Sequence, residues 1–192
     1  HATGVRIAQA VAPKLLKLQL ELGGKDPTYV RADADPRAAA ESLADGAMYN
    51  TGQSCCSVER IYVHQSIHDA FVEHFVATVK GMRVGDPMSN DTYIGAITRA
   101  PQLAVLKAQV DDALAKGATL HTGGHARPGP GNGFEPTVFS CVNHQMELMR
   151  EESFGPVIGI QKVRDDDEAV TLMNDTRYGL TAGVYTRDEA QA

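Results

Sequence analysis

Short apolar runs alternate with amphipathic stretches along this chain of 192 residues, and that alternation constrains the fold more than any other feature. The apolar runs have the length of buried strands, and the amphipathic stretches have the apolar spacing of helices that pack against a sheet. Strands and helices in regular succession are typical of a parallel sheet covered on both faces. We therefore predict an α/β fold with a mostly parallel sheet and helices on both faces.

The predicted strands are of two kinds. Between Leu16 and Leu22, leucines alternate with polar residues, which predicts a strand that puts Glu21 on the face opposite its leucine neighbours. This interpretation places Glu21 at the C-terminal end of its strand, where open parallel sheets bind ligands. The remaining predicted strands are short apolar runs at residues 60–64, 119–122, 136–139, 157–162 and 182–186.

Helices are predicted from apolar spacing and from the residues at their ends. Asp35 followed by Pro36 favours a helix start, and we expect that helix to reach about Asn50. Ser66 with Asp69 resembles a capping box. Further helices are predicted at residues 3–12, 99–116 and 166–174. The helix that follows the capping box has an apolar face of Ile67, Phe71, Phe75 and Val79, and helix 99–116 has one of Leu103, Leu106, Val110 and Leu114. The Gly- and Pro-rich residues 123–133 predict a surface loop or a wide hairpin connection.

Composition excludes several classes of protein. An apolar content of 43% with 22% charged residues is that of a globular domain and excludes disorder. No apolar run reaches the roughly 18 residues of a membrane-spanning helix. A net charge of -6 without a basic cluster argues against a nucleic-acid or membrane partner. Three cysteines, two of them adjacent, fit a reducing compartment such as the cytoplasm better than a disulfide framework.

Three short segments contain residues suited to chemistry. Residues 20–27 join Glu21 to two glycines, which admit close approach of the backbone to a ligand. Residues 50–60 place Cys55 and Cys56 on a turn after a helix, and residues 151–157 place Glu152 and Phe154 just before a Gly-Pro turn. Each segment alone also fits an ordinary structural role: a solvated carboxylate, a small buried thiol or a packing aromatic ring.

No metal site is predicted. His121 and His125 have the spacing of metal ligands, but two glycines separate them and no cysteine or acidic partner is near. Residues 165–168 are acidic because they begin a helix, whose dipole favours negative charge there. Cys141 is expected to be a small buried side chain. A glycine-rich phosphate loop is absent from the sequence.

Taken in order, the three segments resemble the motifs of the NAD(P)-dependent aldehyde dehydrogenase superfamily. Leu20-Glu-Leu-Gly-Gly-Lys25 is similar to its glutamate motif, Gly52-Gln-Ser-Cys55 to its cysteine motif, and Glu151-Glu-Ser-Phe-Gly-Pro156 to its third motif. The resemblance covers essentially the whole chain. It implies a Rossmann-like fold, with residues 1–22 as the C-terminal tail of a cofactor-binding domain and residues 23–192 as a truncated catalytic domain. Because the chain begins at His1 without Met, we expect a piece of a longer polypeptide.

The resemblance also implies roles for individual residues. Cys55 would be the nucleophile that forms a thiohemiacetal and then a thioester with an aldehyde, and Cys56 would be its bystander. Glu21 would be the general base that activates the water for hydrolysis of the thioester. The expected product is a carboxylic acid, and we expect the chain to be inactive by itself.

The cofactor implied by the resemblance is NAD or NADP. Glu152 would hold the hydroxyls of the nicotinamide ribose, Phe154 would pack near the ring, and the backbone of Leu22 would contact the carboxamide. Gln102 is a further candidate for a cofactor contact. The implied partners are a small-molecule aldehyde and further copies of the complete enzyme in a homodimer or homotetramer.

Three alternatives stay open from the sequence. A CoA-acylating semialdehyde dehydrogenase would share the cysteine but pass the thioester to a thiol, and Glu21 argues against it. A catalytically silent binding or assembly domain would keep only the fold. A cysteine hydrolase would use the thiol and the carboxylate without a nicotinamide.

Overall fold

The computed structural model describes residues 1–129 and 131–192, and its centre is a six-stranded sheet. Five strands are parallel to their neighbours, whereas β3 is antiparallel to β4, so the predicted α/β class with a mostly parallel sheet is confirmed. The order across the sheet is β3-β4-β5-β2-β1-β6. The strands are β1 (Pro27–Val30), β2 (Arg60–His64), β3 (Thr119–Thr122), β4 (Thr137–Ser140), β5 (Val157–Val163) and β6 (Gly183–Tyr185).

Helices cover both faces of this sheet, as predicted. One core packs α2 and α3 against one face, and a second core packs α4, α5 and α6 against the other. The helices are α1 (Ala2–Val11), α2 (Pro36–Met48), α3 (His68–Gly81), α4 (Ala100–Ala115), α5 (Glu147–Arg150) and α6 (Asp166–Asn174). Short 3-10 turns lie at Ala12–Lys14, Tyr49–Gly52 and Glu189–Gln191.

Successive residues of one strand serve opposite cores. In β2, Ile61 and Val63 are buried against α2 and α3, whereas Tyr62 between them is buried in the other core. Side chains of a strand alternate between faces, so a strand covered on both sides is apolar at nearly every position. This explains why the central strands appear in the sequence as unbroken apolar runs.

The strand predicted from Leu16 to Leu22 is wrong. Residues 16–26 lie outside regular secondary structure, and Leu16, Leu18 and Leu22 are between 36% and 58% exposed. A strand needs a neighbouring backbone as well as alternation, and the first strand of this sheet begins only at Pro27. Glu21 therefore lies in an extended loop before β1 and not at the C-terminal end of a strand.

The helix ends show which sequence signals correctly predicted a helix cap. Asp35 caps α2 as predicted, because its carboxylate accepts hydrogen bonds from the backbone N–H groups of Arg37 and Ala38 at 2.9 and 3.0 Å. The capping box at Ser66 is wrong: Ile67 is the N-cap of α3 without a side-chain cap. The Ser66 hydroxyl instead lies 2.8 Å from Nδ1 of His64.

The apolar faces of the long helices are partly confirmed. In α3 the predicted Phe71, Phe75 and Val79 are buried. In α4, Leu106 is buried but Leu114 is 45% exposed. The buried stripe of α4 is Leu106, Gln109, Val110 and Ala113, and Leu114 lies at its edge near the C-terminal end of the helix.

The Gly- and Pro-rich residues 123–133 connect β3 and β4, which confirms the predicted hairpin connection. Ala126 and Phe134 form an isolated bridge within it. Pro130 lies outside the described residues.

The loops before β1, β2 and β5 meet at one edge of the sheet. These three strands are parallel and adjacent in the order β5-β2-β1, so their amino ends lie side by side. Each of the three sequence segments suited to chemistry precedes one of them: residues 20–26, 50–59 and 151–156. The fold thus brings together segments that are far apart in the chain.

Candidate active site

A cleft of about 710 Å³ opens at this amino edge of the sheet. All five residues predicted to carry catalysis or cofactor binding line it: Glu21, Leu22, Cys55, Glu152 and Phe154. Gln102 also lines the cleft, together with Gln53 of the cysteine motif and with residues to which the sequence assigned no role, such as Thr98 and Arg99. The structure therefore brings the predicted residues together, and their roles stay predictions. The prediction that Glu21 lies at the carboxyl end of a strand is wrong, because Glu21 precedes β1.

Cys55 is half-buried in the turn between α2 and β2. Burial raises the pKa of its thiol, and the nearby negative charges of Cys56 and Glu21 raise it further. A hydrogen bond from the backbone N–H of Cys55 itself acts in the opposite direction. The thiol is therefore mostly protonated near pH 7, and a nucleophilic reaction needs an acceptor for its proton.

The adjacent Cys56 is a different kind of thiol. It is exposed, and its Sγ lies 3.4 Å from both the Tyr49 hydroxyl and the Ser54 hydroxyl. Hydrogen bonds from Ser54 and Tyr49 lower the pKa of Cys56. The two adjacent cysteines are thus shifted in opposite directions. Cys141, expected to be buried, is exposed after β4, and that expectation is wrong.

The two glycines after Leu22 allow the predicted motifs to touch. A Cβ on Gly24 would lie 2.6 Å from the carbonyl oxygen of Cys55, and a Cβ on Gly23 would overlap the carboxylate of Glu152. The backbone N–H of Gly24 donates to Oε1 of Glu152 at 2.9 Å. The observed close approach at these glycines is to the other two motifs, and any side chain here would separate them; close approach to a ligand stays a prediction.

The third segment presents Glu152 and Phe154 to the cleft. Burial raises the pKa of Glu152, and the hydrogen bond from Gly24 partly opposes that shift. Phe154 has a φ of 46°, in the left-handed region that residues other than glycine seldom adopt. A backbone in this conformation persists only where surrounding contacts hold it.

A buried ion pair beneath the cleft was missed by sequence reasoning. Nζ of Lys25 lies 2.6 Å from Oε2 of Glu59 and 3.2 Å from the hydroxyl of Ser153, and all three side chains are buried. Burial lowers the pKa of Lys25, while the charge of Glu59 opposes that shift. The two residues are 34 positions apart, and nothing in one sequence indicates that they pair. The only local signal was a carboxylate directly before an apolar strand.

Two glutamines of α4 contact the third segment from the other side. Nε2 of Gln102 donates to the carbonyl of Ser153 at 2.6 Å. Nε2 of Gln109 donates to the carbonyls of Glu151 and Glu152 at 3.3 and 3.2 Å. Gln102, predicted to contact a cofactor, thus uses its amide N–H on the protein backbone.

The histidines and the acidic run that the sequence raised as metal ligands have ordinary partners. His121 lies 2.7 Å from the Ser140 hydroxyl, and His125 lies 3.1 Å from the Gly123 carbonyl. Asp165 accepts from the backbone N–H of Glu168 at 2.9 Å and caps α6, as predicted for a helix start. Within residues 1–129 and 131–192, no group of three or more His, Cys, Asp or Glu has the arrangement of a metal site. In the same ranges, every helix is too short or too polar to cross a bilayer.

Comparison with known proteins gives a consistent result. Residues 1–192 match the model of the aldehyde dehydrogenase family. An aspartate-semialdehyde dehydrogenase (non-phosphorylating) of Halomonas elongata is 42% identical over 96% of this chain and 38% of its own length. The succinate semialdehyde dehydrogenase (NAD(P)+) Sad of Escherichia coli is 39% identical over 98% of this chain and 41% of its own length.

Solved structures agree with these relatives. The crystal structure of a succinate-semialdehyde dehydrogenase from Burkholderia pseudomallei superposes with a TM-score of 0.96 and 36% identity over 99% of this chain and 39% of that one. A 3,6-anhydro-L-galactose dehydrogenase in complex with NAP gives 0.94 and 38% identity over 98% of this chain and 40% of that one. The chain spans about two fifths of the length of the curated relatives it matches.

Proposed function

Because the chain belongs to the aldehyde dehydrogenase family, we propose that it forms the catalytic portion of an NAD(P)-dependent oxidoreductase that converts an aldehyde into a carboxylic acid. The observation that carries this proposal is the shared cleft, where the Cys55 thiol and the Glu21 carboxylate lie beside Glu152 and Phe154. A nucleophile, a base and acceptors for a polar ligand thus line one cavity.

The residues of the cleft fit a nicotinamide dinucleotide. Glu152 accepts a hydrogen bond from Gly24 through Oε1, which leaves its other oxygen as an acceptor for ribose hydroxyls. Phe154 offers a flat apolar face, and the backbone of Leu22 lies at the same cleft wall. When bound, the cofactor accepts the hydride that the aldehyde carbon loses. Relatives whose names give NADP(+) or NAD(P)+ support both forms.

In the first step of the proposed mechanism, Cys55 adds to the aldehyde. The thiol gives up its proton, either directly or through water, to the Glu21 carboxylate, whose negative charge is close enough to raise the pKa of Cys55. The sulfur then bonds to the carbonyl carbon, and the carbonyl π electrons move to oxygen to give a thiohemiacetal. The backbone N–H of Cys55 is the donor proposed to stabilise this oxyanion.

Loss of the hydride from the thiohemiacetal carbon leaves a thioester, and the second step hydrolyses it. Glu21 first releases to solvent the proton that it took from Cys55, then takes a proton from a water molecule, and the hydroxide bonds to the acyl carbon. The carbon–sulfur bond breaks, which releases the carboxylic acid and returns Cys55 as a thiolate. A carboxylate exposed at the cleft wall suits this step, because it is open to solvent and lines the same cleft as Cys55.

The proposed domain division follows from the same resemblance. Residues 1–22 would belong to a cofactor-binding domain and residues 23–192 to the catalytic domain. We predict that the 192 residues alone turn over an aldehyde poorly or not at all, because most of the cofactor-binding domain would lie elsewhere in the polypeptide. A turnover number within about tenfold of that of a polypeptide of the relatives' length, the factor equivalent to 1.4 kcal/mol in a barrier, would contradict this prediction.

The decisive test uses a polypeptide of the relatives' length that contains this chain. NAD(P)H formation from an aldehyde panel and hydrolysis of an activated ester are both measured in wild type, in Cys55→Ser and in the matched control Cys56→Ser. We expect Cys55→Ser to abolish NAD(P)H formation and Cys56→Ser to retain most of it. Ester hydrolysis without NAD(P)H formation in wild type would replace the proposal with a cysteine hydrolase.

Localisation and assembly also stay predictions. All three cysteines are free, which supports a reducing compartment such as the cytoplasm. A homodimer or homotetramer is proposed for the complete enzyme from the family resemblance.

A further inference from the structure

We propose that Glu59 is a positioning residue for the cofactor-binding side chains Glu152 and Phe154. It acts through the backbone between them and has no contact with the cofactor itself. This inference rests on the proposed function, because it concerns how the same cleft binds its nicotinamide cofactor. It assigns a role to a buried carboxylate that the proposed mechanism does not use.

The Glu59 carboxylate is a hydrogen-bonding centre for the third motif. Oε2 accepts from the backbone N–H of Ser153 at 2.9 Å, and Oε1 accepts from the backbone N–H of Phe154 at 2.9 Å. Nζ of Lys25 donates to Oε2 at 2.6 Å. Glu59 is 4% exposed, so these bonds form away from water and are charge-assisted.

These bonds hold the third motif in a conformation that it would not adopt alone. Phe154 has a φ of 46°, and both its own N–H and the preceding N–H are bonded to Glu59. Without that carboxylate, the two amides have no acceptor at this buried position, and the backbone is free to leave the left-handed region. The Phe154 ring and the Glu152 carboxylate would then lose their common orientation toward the cleft.

Lys25 extends the same contact to the first motif. It is fully buried, it bonds to the Ser153 hydroxyl as well as to Glu59, and it follows Gly24, whose N–H holds Glu152. Glu59 itself lies four residues after Cys55, and its backbone N–H donates to the carbonyl of Asp26 at 3.0 Å. The pair therefore links all three motifs at the amino edge of the sheet.

If the Lys25–Glu59 pair had only a structural role, its removal would have a different effect from the one expected for a positioning role. Replacement of a buried ion pair by apolar residues of similar volume often leaves stability unchanged or raises it. The double variant Lys25→Met/Glu59→Leu removes both charges together and leaves neither one unpaired. It also removes the acceptors for the amides of Ser153 and Phe154, which no apolar side chain replaces.

The experiment measures cofactor affinity apart from turnover, in a polypeptide of the relatives' length. Dissociation constants for NAD+ and NADP+ are determined by calorimetric titration for wild type, the double variant and Glu59→Gln. The rate of Cys55 alkylation without cofactor and the thermal unfolding midpoint are measured in parallel. We expect the double variant to bind the cofactor about tenfold more weakly, the factor that corresponds to one lost charge-assisted hydrogen bond. Its alkylation rate should stay within about twofold.

Glu59→Gln is the conservative rescue, because its amide oxygen still accepts from a backbone N–H. We expect its affinity for the cofactor to lie between those of wild type and the double variant. If the double variant does not fold, the comparison of Glu59→Gln with wild type is the test. Equal affinity of wild type and either folded variant would overturn the inference while leaving the proposed function intact. Wild type that binds neither cofactor would overturn the proposed function, and the inference with it.

Discussion

The two edges of the sheet each hold a cleft, and their charged groups differ in kind. The amino edge has the cleft of about 710 Å³ with Cys55 and Glu152, and the carboxyl edge has one of about 600 Å³ between Arg31 and Asp166. At the carboxyl edge, Nη2 of Arg31 donates to Asp166 at 2.7 Å, and Tyr29 donates to the same carboxylate at 2.8 Å. The cation there is paired with Asp166, and Asp33, Asp165 and Asp188 accept hydrogen bonds from backbone N–H groups.

The pKa shifts express the same difference. At the carboxyl edge, hydrogen bonds from Arg31 and Tyr29 lower the pKa of Asp166, and bonds from Thr186 and the Arg187 backbone lower that of Asp33. At the amino edge, burial raises the pKa values of Cys55 and Glu152. Perturbed pKa values cluster at functional sites, although structural ion pairs also cause them. The contrast does not extend to every group, because burial raises the pKa of Tyr29 at the carboxyl edge and hydrogen bonds lower that of Cys56 at the amino edge. The general preference for ligands at the carboxyl ends of parallel strands does not identify the functional edge of this sheet.

The largest expected effect is on aldehyde turnover, which should depend on the amino edge and not on the carboxyl edge. Glu21→Gln should lower aldehyde turnover by about 10²- to 10⁴-fold, the usual contribution of a general base. Asp166→Asn, at the other edge, is the matched carboxylate-to-amide control and should change turnover by less than about twofold. Steady-state NAD(P)H formation in a polypeptide of the relatives' length measures both. Similar losses in the two variants would remove the functional distinction between the edges.

The next effect concerns folding stability. Lys25→Met leaves the carboxylate of Glu59 buried without its cation, and breaking a buried pair in this way costs about 3–5 kcal/mol. The free energy of unfolding is obtained from urea titration. A loss below about 1 kcal/mol, the range of a surface pair, would show that water or another cation replaces Lys25.

At the carboxyl edge the corresponding loss should be small. The Asp166 side chain is 50% exposed, so Asp166→Asn should lower stability by only about 0–1 kcal/mol. Because folding lowers the pKa of Asp166, its stabilisation is present above the unfolded pKa of about 3.9 and is lost as pH falls through the folded value. Wild type and variant should therefore differ at pH 7 and converge at lower pH. A difference that grows toward low pH would contradict this assignment.

The smallest expected effect distinguishes the adjacent cysteines. The family resemblance predicts that Cys55 is alkylated before Cys56 and Cys141, but the structure of the free protein favours the reverse order for the adjacent pair. With a lowered pKa and an exposed thiol, Cys56 should react with iodoacetamide faster than Cys55 in the absence of substrate, by a few-fold, since thiolate fraction controls the rate. Ser54→Ala removes one hydrogen bond to Cys56 and should reduce that preference. Tandem mass spectrometry locates the label. Faster labelling of Cys55 would show that its base already ionises it in the free protein.

Local signals predicted what depends on local structure. Asp35 caps α2 and the strands at Arg60 and Val157 form where expected, because a cap and a doubly buried strand each leave a pattern within a few residues. The strand at Leu16 failed because pairing depends on a neighbouring backbone that alternation does not reveal. Glu59 escaped notice because its partners lie 34 and 94 positions away, and a carboxylate before a strand looks like any solvated residue.

The central claim is that Cys55 becomes acylated and that Glu21 removes the acyl group. The most direct measurement is a mass analysis of Glu21→Gln, in a polypeptide of the relatives' length, after mixing with an aldehyde and NAD(P)+. We expect about one acyl group per active chain to accumulate and fragmentation to place it on Cys55. A chain without added acyl mass, or one that carries the group on Cys56, would show that Cys55 and Glu21 do not have these roles.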